Sequence, residues 1–240
     1  MNYLCTELVP GAYVIAIEDK ETWDVMSYTN LYVLRRGDQI ILIDAGAKNY
    51  QPVIVKALAE IGITPEMVTH VLLTHGHHDH WEGAALCKKA AKYVHSADRP
   101  MVAPPLKAEF AAYSKTGPFT FAAPGVGDVE IVLVNTHSPG SVAIYDVISQ
   151  ALFVGDFFCY WGEDLPAGQL VTDSEAIKQG SCQYVAGQAV LEEPGFDKFM
   201  QGLSRLLTFK AEFFCTGHGV VVRGEIQQFL TNMWQAGKSK

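Results

Sequence analysis

The chain has 240 residues, 49% hydrophobic and 18% charged, an ordinary balance that can bury a sizeable core in one domain. A formal net charge of −8 with no extended Lys/Arg run argues against a nucleic-acid or anionic-membrane partner and leaves a small-molecule substrate as the expectation. No basic start followed by a long apolar run opens the chain and no stretch reaches 18 apolar residues, so neither export signal nor membrane span is expected; the five scattered cysteines suit reduced thiols and a cytoplasmic location.

Short β-rich runs come first, at Ala12 to Ile17, Leu31 to Leu34 and Gln39 to Ile43, with Arg36-Gly37-Asp38 as the turn between the last two. Ile43-Asp44-Ala45-Gly46 then ends a strand on a carboxylate. Ile54, Ala57, Leu58 and Ile61 have the spacing of an amphipathic helix that Gly62 terminates, and Thr64-Pro65-Glu66 reads as an N-cap with proline at the first helical position. A strand from Thr69 follows. It delivers Thr74-His75-Gly76-His77-His78-Asp79-His80, beyond which a helix is expected from about His80 to Ala91 and a strand ending at His95.

Residues 97–127 are punctuated by Pro100, Pro104, Pro105, Pro118 and Pro124, with Leu106 to Ser114 as the one helical candidate; the segment reads as a packed surface loop or a substrate-facing lid. Strands resume at Val129 to Val134, Val142 to Val147 and Ala151 to Val154. Asp173 to Leu191 is expected to be helical, as are the stripe Phe196, Phe199, Met200, Leu203, Leu207 and the stripe Ile226, Phe229, Leu230, Met233, Trp234, with a strand from Ala211 to Cys215 between the last two. Nothing divides the chain. One domain over 1–240 is expected, with two similar halves of about 1–125 and 126–240.

Three imidazoles and a carboxylate, His75, His77, His80 and Asp79, are set too closely for a regular helix to converge them, since helical positions i and i+2 point nearly opposite ways. A turn anchored by a buried strand can do so, and imidazole with carboxylate is a ligand set for zinc or a related first-row metal. His137 in Thr136-His137-Ser138-Pro139-Gly140, Asp156 in Val154-Gly155-Asp156, and His218 in Thr216-Gly217-His218-Gly219 also stand where a short apolar strand gives way to glycine or proline. Of the other histidines, His78 reads as a surface or supporting residue, His95 as structural, and His70 carries no assignment.

With Asp44, the His75/His77/Asp79/His80 cluster, His137, Asp156 and His218 in that order, the chain resembles the metallo-β-lactamase superfamily over nearly its whole length. The resemblance implies a four-layer αββα sandwich with a binuclear metal centre along one edge. By it His75, His77 and His137 would bind one ion, Asp79, His80 and His218 a second, and Asp156 would bridge them, while Asp44 would orient a ligand imidazole. Two divalent ions are implied, zinc first, with iron and manganese also admitted. Ions about 3.5–4 Å apart can share a hydroxide whose pKa falls to roughly 7. Asp79 and Asp156 are the catalytic candidates, Asp79 as proton shuttle.

Aspartate at Asp156, where the commonest zinc β-lactamases carry cysteine, resembles the glyoxalase II and lactonase branches. His77, where the di-iron flavoproteins of the superfamily carry glutamate, argues against that redox class. The expected activity is hydrolysis of an ester, thioester or lactone. The alternatives are a mononuclear iron oxidoreductase resembling the persulfide dioxygenases and a non-catalytic metal-binding module. The 62 positions between Asp156 and His218 exceed one strand and one helix. That excess, about 157–190, is expected to wall the substrate pocket with Phe157, Tyr160 and Trp161, given a mildly acidic edge by Glu163 and Asp164. Cys159 is expected near the pocket without a catalytic role. Self-association into a homodimer is also allowed.

Overall fold

Apolar residues fill both alternating sets of positions along much of the early strands β2 (Ala12–Asp19), β3 (Ser27–Arg36) and β4 (Gln39–Ile43), the pattern of a sheet covered on both faces, while β1 (Tyr3–Val9) at the sheet edge is only partly buried. In the computed structural model, which describes residues 2–19, 27–123, 126–161 and 169–238, these four pair antiparallel. The strands β5 (His70–Leu72), β6 (Ala91–His95) and β7 (Phe110–Tyr113) then extend them in parallel to a seven-stranded sheet. A second seven-stranded sheet contains β8 (Phe119–Thr120), β9 (Val129–Leu133), β10 (Val142–Asp146), β11 (Ala151–Gly155), β12 (Val171–Thr172), β13 (Phe213–Thr216) and β14 (Val221–Arg223), in the order β12-β14-β13-β11-β10-β9-β8.

Strand alternation builds the layers. Val14 and Ala16 of β2, with Ile41 and Ile43 of β4, pack toward the second sheet, whereas their neighbours Ile15, Ile17, Ile40 and Leu42 pack with Ile54, Ala57 and Leu58 of the helix α1 (Gln51–Glu60). A single helical turn, α2 (His78–Trp81), follows β5. On the second sheet, Val185 of α3 (Glu175–Leu191), Leu203 and Leu206 of α4 (Phe196–Leu206), and Phe229 and Met233 of α5 (Ile226–Lys238) are buried. Each such side chain contributes roughly 1.5–3 kcal/mol on burial. The result is one domain with the expected αββα layering of two sheets between helices.

Two expected helices are not present as such. The helix from about His80 to Ala91 shrinks to α2 and a 3-10 turn at Glu82–Leu86. Here Gly83 donates its backbone N–H to the Gly46 carbonyl, and a side chain at Gly83 would collide with the Ala45 carbonyl; this close approach to the loop after β4 prevents a regular helix from continuing. Leu106 to Ser114 is likewise a 3-10 turn, Leu106–Glu109, followed by β7, because Phe110 is buried and the free edge of β6 offers backbone partners that a helix would leave unused. The segment 97–127 therefore finishes a sheet, and none of its described residues lines the large cavity beside the histidines. Thr64 makes no side-chain capping bond, and Pro65–Met67 is a 3-10 turn.

Candidate metal centre

Parallel strands end at the same edge of a sheet, and the centre lies where the ends of two such pairs meet. In the first sheet β4 and β5 run parallel, so Asp44 leaves the sheet beside Thr74 and His75. In the second, β11 and β13 run parallel, so Asp156 and His218 leave it side by side, with His137 arriving from the turn after β9. Asp79 and His80 are carried by α2, while His75 and His77 occupy the loop before it.

The side chains form two touching groups. His77 Nδ1 lies 3.1 Å from His75 Nε2 and 2.7 Å from His137 Nε2. Asp79 Oδ2 lies 3.4 Å from His80 Nε2 and 3.3 Å from His218 Nε2. Asp156 faces both. Its Oδ2 is 3.4 Å from His137 Nε2 and from His218 Nε2 and 3.9 Å from His75 Nε2, while its Oδ1 is 3.4 Å from His80 Nε2.

These residues fit metal ions on chemical grounds. Asp79 Oδ2, His80 Nε2 and Asp156 Oδ1 are buried and make no hydrogen bond, which for ordinary buried polar atoms is rare and unfavourable. Three ligand sets, His75/His77/His137, His75/His80/Asp156 and Asp79/His80/His218, each hold their donor atoms within 4.8 Å of one another. Electrostatics point the same way. Burial would lower the His80 pKa, but Asp79, Asp156 and Asp44 together raise it well above 6.5, and His218 is raised likewise against burial by Asp156 and Asp79. Burial would raise Asp79 and Asp156, and the imidazoles of His80 and His218 hold both below the ordinary carboxylate range. Burial, then His80, keeps His75 well below 6.5 and therefore neutral, ready to donate a lone pair. The carboxylates thus draw positive charge inward, which a divalent cation supplies without a proton.

A ring of hydrogen bonds fixes the donors. Asp44, in a left-handed conformation at φ +59°, accepts at Oδ2 from the Thr74 hydroxyl at 2.7 Å and lies 3.0 Å from His80 Nδ1, while its Oδ1 accepts from the Thr74 backbone. Thr74 Oγ1 also lies 3.1 Å from His75 Nδ1. Sequence reasoning found Asp44 but missed three other supports. Asp98 is fully buried and accepts from the Gly76 and Gly140 backbone N–H groups and the Ser138 hydroxyl, binding the loop of His75 to that of His137. Asn30 donates through Nδ2 to the Thr216 and Gly219 carbonyls on either side of His218, and Thr29 Oγ1 lies 3.4 Å from His218 Nδ1. Their only local signal was polarity within apolar strands or before a proline.

A cavity of about 770 Å³ opens beside His137 and Asp156, and Phe157, Cys159, Tyr160 and Trp161 line it. The Trp161 ring stacks on that of His218 at 4.1 Å. Phe157 also packs into the core. Burial, then the negative Asp156, holds the Cys159 thiol well above its ordinary pKa, which disfavours a nucleophilic thiolate. His78 is exposed, and His95 is buried edge-on to Tyr113. Glu163 and Asp164, like Pro124 and Lys240, lie outside the described residues.

Comparison with known proteins decides the family. The model described as the metallo-beta-lactamase superfamily matches residues 26–218. The chain belongs to that superfamily. It is 28% identical over 169 residues to the probable metallo-hydrolase YybB of Bacillus subtilis, an alignment that covers 62% of this chain and 72% of that one. It is also 25% identical over 218 residues to the beta-lactamase-like protein 2 homolog of Drosophila melanogaster, covering 85% of this chain and 64% of the relative. Among solved structures, a flavo di-iron protein from Thermotoga maritima superposes with a TM-score of 0.77 at 17% identity, with 99% of this chain covering 63% of that one. Rubredoxin oxygen:oxidoreductase from Desulfovibrio gigas gives 0.75 at 15%, covering 99% of this chain and 62% of that one. At such identities the likeness is one of fold. This superfamily member spans under two thirds of the fly relative and of these two solved chains.

Proposed function

We propose that this member of the superfamily is a dinuclear metal-dependent hydrolase of a small carboxylic ester, thioester or lactone, allied to the glyoxalase II and lactonase branches. Zinc is the metal that the donors favour, with iron and manganese also able to use them. The observation that carries the reading is the Asp156 carboxylate, which faces the imidazoles of both groups at 3.4 Å. In this reading His75, His77 and His137 would hold one ion and Asp79, His80 and His218 the other, with Asp156 available to both. A metal pair supplies a water of lowered pKa and polarises a carbonyl oxygen.

The chain's own groups do the rest. Asp44 and Thr74 orient His80 and His75 through their Nδ1 atoms, so that each presents Nε2 to the centre. Trp161, stacked on His218, keeps water from one side of the site. Asp79, whose Oδ2 lies 3.4 Å from His80 Nε2 and 3.3 Å from His218 Nε2, is by position the carboxylate that would pass a proton from the attacking water to the leaving oxygen or sulfur. Overall, the oxygen of water bonds to the carbonyl carbon, the acyl–oxygen or acyl–sulfur bond breaks, and acid and alcohol or thiol result. A cytoplasmic location and a small-molecule substrate complete the reading, without nucleic acid or membrane. It is in keeping with the acidic charge and with no described helix being long and apolar enough to cross a membrane.

The second reading, an iron oxidoreductase, draws on the names of the flavo di-iron proteins that share the fold. Metal analysis of protein purified without added metal, paired with turnover after reconstitution, separates the two. About two zinc ions per chain and ester, thioester or lactone hydrolysis are expected. Iron alone supporting turnover, with oxygen consumed, would overturn the hydrolase.

A further inference from the structure

The cavity beside the centre is far larger than ester chemistry at the cluster requires. It begins at His137 and Asp156 and runs between residues 157–161, α3 and α4 to Glu193 and Phe196. We propose that it receives the unbranched, uncharged acyl chain of the substrate, making the substrate a medium- to long-chain fatty-acyl ester, thioester or lactone. This rests on the hydrolase reading of the same site and names the class of molecule it would act on.

One wall is aromatic and mutually packed. Phe157 and Phe199 stack at 4.8 Å, with Phe158 and Phe196 within 6.5 Å of Phe199, giving a firm apolar surface. The facing wall is made wide by small residues. Helix α3 turns Ala176 and Gly180, one helical turn apart, and Ser181 to the cavity, beside the larger Ile177, Tyr184, Val185 and Gln188. Gly180 needs neither a left-handed backbone nor close packing, because a Cβ there would meet no heavy atom within 4 Å. A glycine inside a helix weakens it relative to alanine, so room in the cavity is what the residue supplies.

The lining also states what the chain cannot carry. Its charged members are Asp156 and Glu193, His137 being kept below its ordinary pKa chiefly by burial, and no Lys or Arg stands among the described lining residues, so nothing there neutralises a phosphate or carboxylate on the buried arm. Tyr160 and Ser181, the polar pair in the middle, are hydrogen-bonded to each other at 3.0 Å, and Ser181 also bonds the Ile177 carbonyl at 2.8 Å. Thr136, Cys159, Tyr184 and Gln188 add further polar groups, and the aromatic and aliphatic side chains make up most of the rest. A single aromatic ring would underfill the space, since a cavity of roughly 150 Å³ already holds benzene.

The test is a series of p-nitrophenyl esters from acetyl to dodecanoyl, with phenylacetyl for comparison, on the zinc-loaded protein and on Gly180→Leu and Ala176→Phe. Calorimetric binding of decanoate and butyrate to the same proteins runs in parallel. The expected kcat/KM climbs with chain length, by up to about fourfold per methylene, and either substitution lowers the dodecanoyl-to-acetyl ratio at least tenfold. Two variants guard against one that does not fold. Hydrolysis with a flat length profile, a preference for phenylacetyl, or a ratio that neither substitution lowers would overturn the acyl-chain cavity while leaving the hydrolase. No hydrolysis, yet decanoate bound at least tenfold tighter than butyrate and weakened by the substitutions, would overturn the hydrolase and keep the chain site. Neither hydrolysis nor chain-dependent binding overturns both.

Discussion

Asp98 and Gly140, 42 residues apart, are joined by a 2.6 Å hydrogen bond from the Gly140 backbone N–H to the Asp98 carboxylate. The same carboxylate accepts from the Gly76 backbone N–H at 2.9 Å and from the Ser138 hydroxyl, so one buried side chain fixes the loops on either side of the centre. Asp98→Asn keeps the shape but replaces an acceptor oxygen with a donor. It should cost about 1–3 kcal/mol in denaturant unfolding and weaken metal affinity about 10-fold or more in chelator competition. Equal metal affinity in the variant would reduce Asp98 to a support of the fold alone.

Asp44→Asn separates orientation from backbone strain. Asparagine tolerates the φ of +59° found here, and its carbonyl can keep one Thr74 contact. It cannot serve both Thr74 and His80 Nδ1 as the carboxylate does. Metal affinity is expected to fall about 10–100-fold, and the metal-free protein to lose about 1–3 kcal/mol for the acceptor removed. A lower melting temperature with unaltered affinity would mean that Asp44 acts on the fold.

Removing the Asp156 carboxylate, which faces both histidine groups, is the direct probe of the proposed two-ion centre. Asp156→Ala should retain at most one metal ion per chain by mass spectrometry, and hydrolysis should fall at least about 100-fold. Turnover equal to that of the unaltered protein would remove Asp156 from the assigned role.

Proton release gives a fourth measurement. In the metal-free protein His80 and His218 have pKa values raised above 6.5 by their carboxylate neighbours. Their contribution to stability is therefore complete below about 6.5 and lost as pH rises through the raised folded values. Metal must displace those protons, so zinc binding near pH 7 should release protons and tighten as pH rises. His75, lowered by burial and then by His80, is already neutral and contributes no proton. Titration calorimetry in two buffers of different ionisation enthalpy reads the number released. A value of zero would contradict the charge arrangement described for the cluster.

Much of this molecule was legible locally. Alternation along Val14, Ile15, Ala16 and Ile17 specifies a strand buried on both faces because side-chain direction reverses at every residue, and the stripe Phe196, Phe199, Met200, Leu203, Leu207 that packs on the core is readable from the helical repeat. The run from His75 to His80 declares its donor atoms because it packs imidazole and carboxylate into one short turn. What only tertiary structure decided depends on partners far along the chain. Phe110 to Tyr113 became a strand because β6 presented an open edge. Asp98 and Asn30 gained their roles from loops and strands 42 and 186 residues away, and Gly180 makes room in a cavity only because α3 packs across from Phe157 and Phe199. Spacing encodes periodicity and local turns; the pairing of two sheets, and hence which polar groups meet between them, is fixed by packing of the whole core.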